Sequence, residues 1–314
     1  MIAPSLVEAI WANPLIDRRY AEALRQLCLP ADGAPARREG LARLPELFCE
    51  ANGGDPAQVA PILSAWTLLR YAARILDDIQ DGDMVAGEAA SAVRLNLSTG
   101  LIFTSGALLS ELEAAGVTAV AARDIRRTVY ATLLQTCGGQ HLDLSEPEPT
   151  LAMCWQIAGA KTGTFAGLIC WCGGRVACAD AQQLARYQAF GYNLGLLDQI
   201  GDDLADLWAS DAAHSDLRAA AGRGLPAAYA LAVLPPAERA RLRALLAQSQ
   251  ADPASEQEAR QVIIASGAAV YLTAQTMLYR QESERLLAEM GLPEAASRQL
   301  HALLDKVSAT RQPA

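Results

Sequence analysis

Positive charge is scarce in this chain. Its 314 residues hold 26 Lys+Arg against 35 Asp+Glu, a formal net charge of −9, and no basic run gathers the cations into a face. Nucleic acid is therefore a poor partner, because an acidic surface repels a phosphate backbone. Aromatic residues make up 5%, and regular alternation of β-branched residues is hard to find, so the composition favours helices over sheets. Seven cysteines, odd in number and scattered, make no disulfide framework. The N-terminus lacks a basic segment followed by an apolar core, the mark of a secretory signal, and a reducing cytoplasm is the expected compartment. The longest uncharged stretch, Val262 to Leu278, is interrupted by Ser266, Thr273, Gln275 and Thr276. It reads as a buried core helix rather than a membrane span, and no integral membrane segment is expected.

What is present suffices for a large core: 52% of residues are hydrophobic and 19% charged, which excludes general disorder. Breaks fall at Leu29–Ala36, Asn52–Pro56, Ser145–Pro149, Ser210–Pro226 and Pro235–Pro236. None is long enough to link separate domains, so residues 1–314 are expected to form a single domain. Between the breaks, apolar residues recur at three and four, as in Ile62, Trp66, Leu69, Ala73 and Leu76, or in Leu184, Tyr187, Leu194, Leu197, Leu204 and Leu207. Long helices with short connections follow, and the fold class is all-α. Asp55 before Pro56 suits an N-cap, Asp180 suits another, and Pro61 either kinks the first long helix or delays its start.

Two acidic clusters share one pattern: Asp77-Asp78-Ile79-Gln80-Asp81 and Asp202-Asp203-Leu204-Ala205-Asp206. On a helix, Asp77 and Asp81, like Asp202 and Asp206, lie one turn apart on the same face, and Asp198 extends the second stripe backwards. Like charges at that spacing cost a bare helix roughly a few tenths of a kcal/mol per pair. A solvated helix face explains one such cluster alone. Two with the same pattern, each after a long apolar stretch, point to hard oxygen ligands for Mg²⁺ bridging a diphosphate.

With these motifs the chain resembles the trans-isoprenyl diphosphate synthase (polyprenyl synthetase) family. Gly139-Gln140-His141-Leu142-Asp143-Leu144 resembles that family's GQxxDL segment, Lys161-Thr162-Gly163-Thr164 its KTA segment, and Asp198-Gln199-Ile200-Gly201-Asp202-Asp203 stands where FQIxDD is usual. The resemblance runs from about Glu50 to Leu231 and implies the class I isoprenoid synthase fold, a helical bundle around a central cavity. It further implies that Asp77 and Asp81 bind two of three Mg²⁺ ions and Asp202 the third, with Asp78, Asp203 and Asp206 acting through water or as outer ligands. Lys161 would contact the diphosphate of an allylic isoprenyl substrate, helped by Arg94, Arg223 and Gln199. Gln140, Thr162 and Gln199 would line the cavity and face a developing allylic cation. Family members commonly form homodimers, and a homodimer is expected here.

The sequence also departs from the family. Where elongating members carry GKxxRP, the chain has Arg37-Arg38-Glu39-Gly40-Leu41-Ala42, and after Asp81 no basic residue occurs before Arg94. The site for isopentenyl diphosphate is thus degenerate. Each charge-assisted hydrogen bond lost there is worth about 1.5 to 3 kcal/mol. The pattern suits a class I terpene synthase that ionises farnesyl or geranylgeranyl diphosphate without a second substrate. The alternatives are a chain-elongating polyprenyl or geranylgeranyl diphosphate synthase or a prenyltransferase with a non-standard acceptor site, using residues such as Arg38, Arg43, Arg74 and Arg94. A non-catalytic partner subunit would have little reason to keep six motif aspartates and Lys161.

Aromatic candidates for the cavity are few: Trp66, Tyr71, Trp155, Phe165, Phe190 and Tyr192. Ala72 and Ala73, five and four positions before Asp77, would leave the chain pocket open, with Leu69 and Tyr71 closing it lower down. Cys154, Cys170, Cys172 and Cys178 have no histidine near in sequence and read as buried thiols rather than a zinc site. His141, His214 and His301 are too dispersed for a ligand set.

Overall fold

The computed structural model describes residues 2–28, 39–80, 88–208, 224–249 and 251–309, with the side chains at 39, 40, 88 and 89 outside the description. Among the described residues every regular element is helical. In chain order these are α1 (Pro4–Trp11), α2 (Arg18–Cys28), α3 (Glu39–Ala42), α4 (Leu44–Ala51), α5 (Ala60–Gln80), α6 (Glu88–Ser110), α7 (Ala119–Ser145) and α8 (Leu151–Ala158). There follow α9 (Thr164–Ala177), α10 (Ala181–Trp208), α11 (Leu225–Val233), α12 (Pro236–Gln248), α13 (Pro253–Ala265), α14 (Ala268–Met290) and α15 (Glu294–Ser308). The chain divides into two compact units, Met1–Tyr130 with Leu168–Gln188, and Ala131–Gly167 with Ala189–Ala314.

In the first unit, Asp55 Oδ1 accepts from Ala57 N at 2.9 Å and so caps the short 3-10 turn Pro56–Val59 that leads into α5. Pro61 falls in the first turn of α5, where its missing N–H has no intrahelical partner to lose, and the helix simply starts there. Ile62, Ala65, Trp66, Leu69 and Ala72 form the buried face of α5. Hydroxyls of α6 reach that face: Ser98 Oγ donates to the Ala72 carbonyl at 3.2 Å and Ser105 Oγ to the Ala65 carbonyl at 3.1 Å. Their small size brings the two helices close, with Leu101 and Leu108 of α6 fully buried. Ala73, grouped with this face by the apolar period, is instead exposed, because α6 approaches over Ala72. Where α9 passes α4, a Cβ on Gly173 would lie 2.3 Å from the Pro45 Cα, so the approach requires glycine.

The second unit has its core among Ile200, Leu204 and Leu207 of α10 and Leu225, Leu242 and Leu272 of the later helices. The apolar stripe read along α10, from Leu184 to Leu207, is buried at each of its six positions. Asp180 caps this helix, accepting from Gln182 N and Gln183 N at 2.8 and 3.0 Å, and those two bonds hold its carboxyl below the usual range.

The stretch from Val262 to Leu278 is not one core helix. It breaks at Gly267, whose φ of +87° ends α13, and α14 departs at 57°. Ile263, Ala268 and Leu272 are fully buried while Val270, Met277 and Leu278 are exposed. By length and composition alone, α6 and the α13–α14 pair would suffice to cross a bilayer.

Candidate active site

In the second unit the Lys-Thr-Gly segment interrupts helical geometry. Residues Gly159–Gly163 form a π-helical turn between α8 and α9, closed by Thr164 Oγ1, which donates to the carbonyls of Gly159 and Ala160. Such turns carry one residue more than an α-turn and recur at functional sites. Here the turn sends two adjacent side chains to two different helices. Lys161 Nζ reaches Asp143 of α7 at 2.9 Å, with both side chains about three-quarters buried (25% and 22% exposed). Thr162 Oγ1 donates to Gln199 Oε1 of α10 at 3.1 Å, and Gln199 Nε2 donates to Asp203 Oδ1 at 2.8 Å. A continuous hydrogen-bonded path therefore runs from the Lys-Thr segment to the second acidic motif. Cys154 of α8 lies beside it: burial, then the charges of Asp143 and Asp203, push its thiol up to about 12.

Asp202, Asp203 and Asp206 are all half-buried on the last turns of α10. Arg260 of α13 donates to the Asp206 carbonyl, one of the last four carbonyls of α10 and thus without an intrahelical donor. Glu256 holds Arg260 at 2.9 Å in a pair that is only 3% and 11% exposed. In the first unit, Asp77 and Asp78 are half-buried in the last turn of α5. Both motifs thus put carboxylates at helix C-termini, where the dipole repels negative charge, a placement that a bound cation relieves. Asp81 and Arg223 lie outside the described residues, as do Arg37, Arg38 and the Glu39 side chain. Arg94 stands exposed on α6.

The donor set fits Mg²⁺. Every candidate ligand is a carboxylate oxygen, and no group of three or more His, Cys, Asp or Glu among the described residues could hold a metal ion. Mg²⁺ is characteristically held by one or two carboxylates together with substrate phosphates and water, not by an all-protein cage. Cys154, Cys170 and Cys172 are buried free thiols, while Cys178 is partly exposed. Burial raises Cys170 and Cys172 far above the ordinary thiol range.

The first unit also holds a small apolar void of about 10 Å³, lined by Ile62, Trp66 and Leu69 of α5 together with Leu109, Val129 and Cys172. Tyr71, Ala72 and Ala73 are not among its walls, because Ala72 is covered by α6 and Ala73 faces outward. Gln140 and Phe165 are half-buried in the second unit. Asp143, Arg260 and Glu256 were not singled out from the sequence. Asp143 had a signal in its place within Gly139–Leu144, four residues after Gly139, whereas nothing local marks Arg260.

Residues 38–263 match the polyprenyl synthetase family. The geranylgeranyl diphosphate synthase of Mycobacterium tuberculosis is 32% identical over 179 residues, 50% of this chain and 47% of that protein, so the match spans about half the length of that relative. The crystal structure of geranylgeranyl pyrophosphate synthetase from Pyrococcus horikoshii superposes with a TM-score of 0.82 at 19% identity, covering 97% of this chain and 95% of that one. Geranylgeranyl pyrophosphate synthase from Corynebacterium glutamicum, solved with isoprenyl diphosphate and magnesium, gives 0.77 at 17% identity, covering 99% and 100%. At these identities the likeness to the solved structures is one of fold, and that fold is the all-α isoprenyl diphosphate synthase fold.

Proposed function

Because the chain belongs to the polyprenyl synthetase family, we propose that it is a Mg²⁺-dependent prenyltransferase that ionises an allylic isoprenyl diphosphate and adds the isoprenyl group to a second substrate, as a chain-elongating polyprenyl diphosphate synthase does. The observation that supports this reading is the π turn that sends Lys161 to Asp143 and Thr162, through Gln199, to Asp203 of the second acidic motif. Ionisation breaks the allylic C–O bond, and the electron pair leaves with the diphosphate oxygen. Lys161 donates to the departing diphosphate, and its partner Asp143 keeps the ammonium oriented between turnovers. The Thr162 hydroxyl and the Gln199 amide turn their dipoles toward the developing cation. The aspartates of the two motifs, Asp77, Asp78 and Asp81 and Asp202, Asp203 and Asp206, would hold three Mg²⁺ ions, whose charge would offset that of the leaving diphosphate. No side-chain nucleophile is required.

The whole chain is read as one isoprenoid synthase domain, supported by matches that cover nearly all of it. Trp66 stands eleven residues before Asp77, roughly 16 Å along α5. With Leu69 it marks the floor of the isoprenyl pocket, and the Trp66→Ala variant is expected to accept or make longer chains. We also read the protein as a cytoplasmic homodimer. The exposed Leu95, Ile102 and Phe103 on α6 support the dimer, since large apolar side chains left in water favour burial against a second copy.

One specific observation favours a second reading, the ionisation-only terpene synthase: Glu39 and the absence of basic residues between Asp81 and Arg94. Product analysis separates the two. Incubation with Mg²⁺ and geranyl, farnesyl or geranylgeranyl diphosphate is expected to yield longer prenyl diphosphates when isopentenyl diphosphate is supplied. Hydrocarbons or alcohols formed equally well in its absence would instead establish the terpene synthase.

A further inference from the structure

The π turn is held from two helices at closest range. On α10, a Cβ at Gly159 would come within 2.3 Å of Tyr192 Oη, and one at Gly163 within 2.7 and 2.8 Å of the ring carbons Cε2 and Cδ2. One turn further along α10, a Cβ at Gly195 would stand 2.6 Å from the Thr162 carbonyl oxygen. On α7, a Cβ at Gly139 would lie 2.7 Å from the Ala160 Cβ. The Tyr192 ring therefore occupies space that any side chain at Gly159 or Gly163 would need. Its contact with the turn is made chiefly by ring carbons, and its hydroxyl adds bulk over Gly159.

An uncommon turn persists only where its surroundings over-determine it. Were it to relax to an α-turn, one residue of register would be absorbed, a rotation of about 100°. Lys161 could not then keep Asp143 while Thr162 kept Gln199. We propose that Tyr192 is a positioning residue: its ring, packed against Gly159 and Gly163, holds the π turn that aims Lys161 at the diphosphate and Thr162 at the isoprenyl cation. The proposal rests on the roles of Lys161 and Thr162 given above, and its test separates the two.

Three variants are compared with the wild type, each corrected for folded fraction: Tyr192→Phe, Tyr192→Ala and, as a control, Tyr229→Ala. Tyr229 stacks on Tyr271 at 4.4 Å in the same unit, and the atoms nearest a Cβ at Gly159 or Gly163 are those of Tyr192, not of Tyr229. Tyr192→Phe is expected to stay within about twofold of wild type in kcat and KM, because the ring remains. Tyr192→Ala is expected to lose about tenfold or more in kcat and to bind Mg²⁺ with inorganic pyrophosphate at least about fivefold more weakly in calorimetry, the penalty of misplaced groups. Tyr229→Ala should hold both within about twofold, although it removes a ring of the same size. The proposal is overturned if Tyr192→Ala matches the wild type in both readouts, or if Tyr229→Ala falls as far. A wild type that neither releases nor binds diphosphate overturns the functional reading instead. The clamp is then decided by a crystal structure of Tyr192→Ala, since a π turn still in place sinks it and a relaxed turn upholds it.

Discussion

Lysine occurs at only two positions in the chain, 161 and 306, against 24 arginines. One of the two is the ammonium paired with Asp143 of α7. Arginine would bring a wider, planar fork, whereas lysine offers a compact charge that can pass from Asp143 to a diphosphate oxygen. Lys161→Ala should lower kcat and raise KM for the allylic diphosphate, together by about ten- to a hundredfold in kcat/KM for one charge-assisted hydrogen bond. Unchanged steady-state parameters would remove Lys161 from the site. The aspartates were legible because charge repeated at helical spacing is costly unless used. Asp143 and Glu256 were less so, because a single acid carries no such pattern and acquires its meaning only from a partner distant in sequence. The thiols give a prediction with a definite sign. Burial pushes Cys28 up to about 12 and Cys49 up to about 11, from an ordinary value near 9. The folded chain therefore keeps protons that the unfolded chain gives up above about pH 9, and stability must fall as pH rises from there. Thermal midpoints between pH 8 and pH 10.5 should decrease. Exposed Cys137 should be alkylated at neutral pH while Cys170 and Cys172 resist, and equal labelling of all three would contradict their burial.

At the scale of elements, periodicity and capping carried furthest. Asp55 and Asp180 cap where the sequence puts them, and the α10 stripe is buried over its full length. Two failures have a common cause. A 3.6-residue period cannot register a single added residue or a single positive φ, so neither the π turn at Gly159–Gly163 nor the break at Gly267 was visible in the apolar pattern. Ala73 was misplaced for a related reason: the period groups it with Leu69 and Leu76 as readily as it groups Ala72, and only the approach of α6 decides which faces inward. Glycine at helix crossings offers the sharpest element-scale test. Gly173→Ala drives a methyl into the Pro45 backbone and should cost about 1 to 3 kcal/mol of stability in denaturant unfolding, as overpacking does. A loss under about 0.5 kcal/mol would mean that α4 and α9 separate there without strain.

At the scale of the molecule, composition favoured helices over sheets, every regular element among the described residues is helical, and the ordered motifs pointed to the family whose fold the chain shares. The degenerate acceptor segments led the sequence reading to ionisation alone, whereas the family match and the geranylgeranyl diphosphate synthase relative stand nearer to elongation. That choice depends on how guanidinium groups converge on a second diphosphate, and Arg37, Arg38, the Glu39 side chain and the segment from Gly82 to Gly87 lie outside the description. Association is a property of this scale too. Phe103 is 73% exposed on α6, where Leu95 and Ile102 are exposed as well, and a Phe103→Asp variant should elute as a monomer in light scattering where the wild type is expected as a dimer. A wild-type monomer would assign that face another role. The most direct test of the central claim is release of inorganic diphosphate from geranyl, farnesyl or geranylgeranyl diphosphate by the purified protein, measured with isopentenyl diphosphate present. Release that needs Mg²⁺, stops with a chelator and falls by at least about a hundredfold in Asp202→Ala is the predicted result. Release that persists without Mg²⁺ or in Asp202→Ala, or none from any of the three substrates, would contradict it.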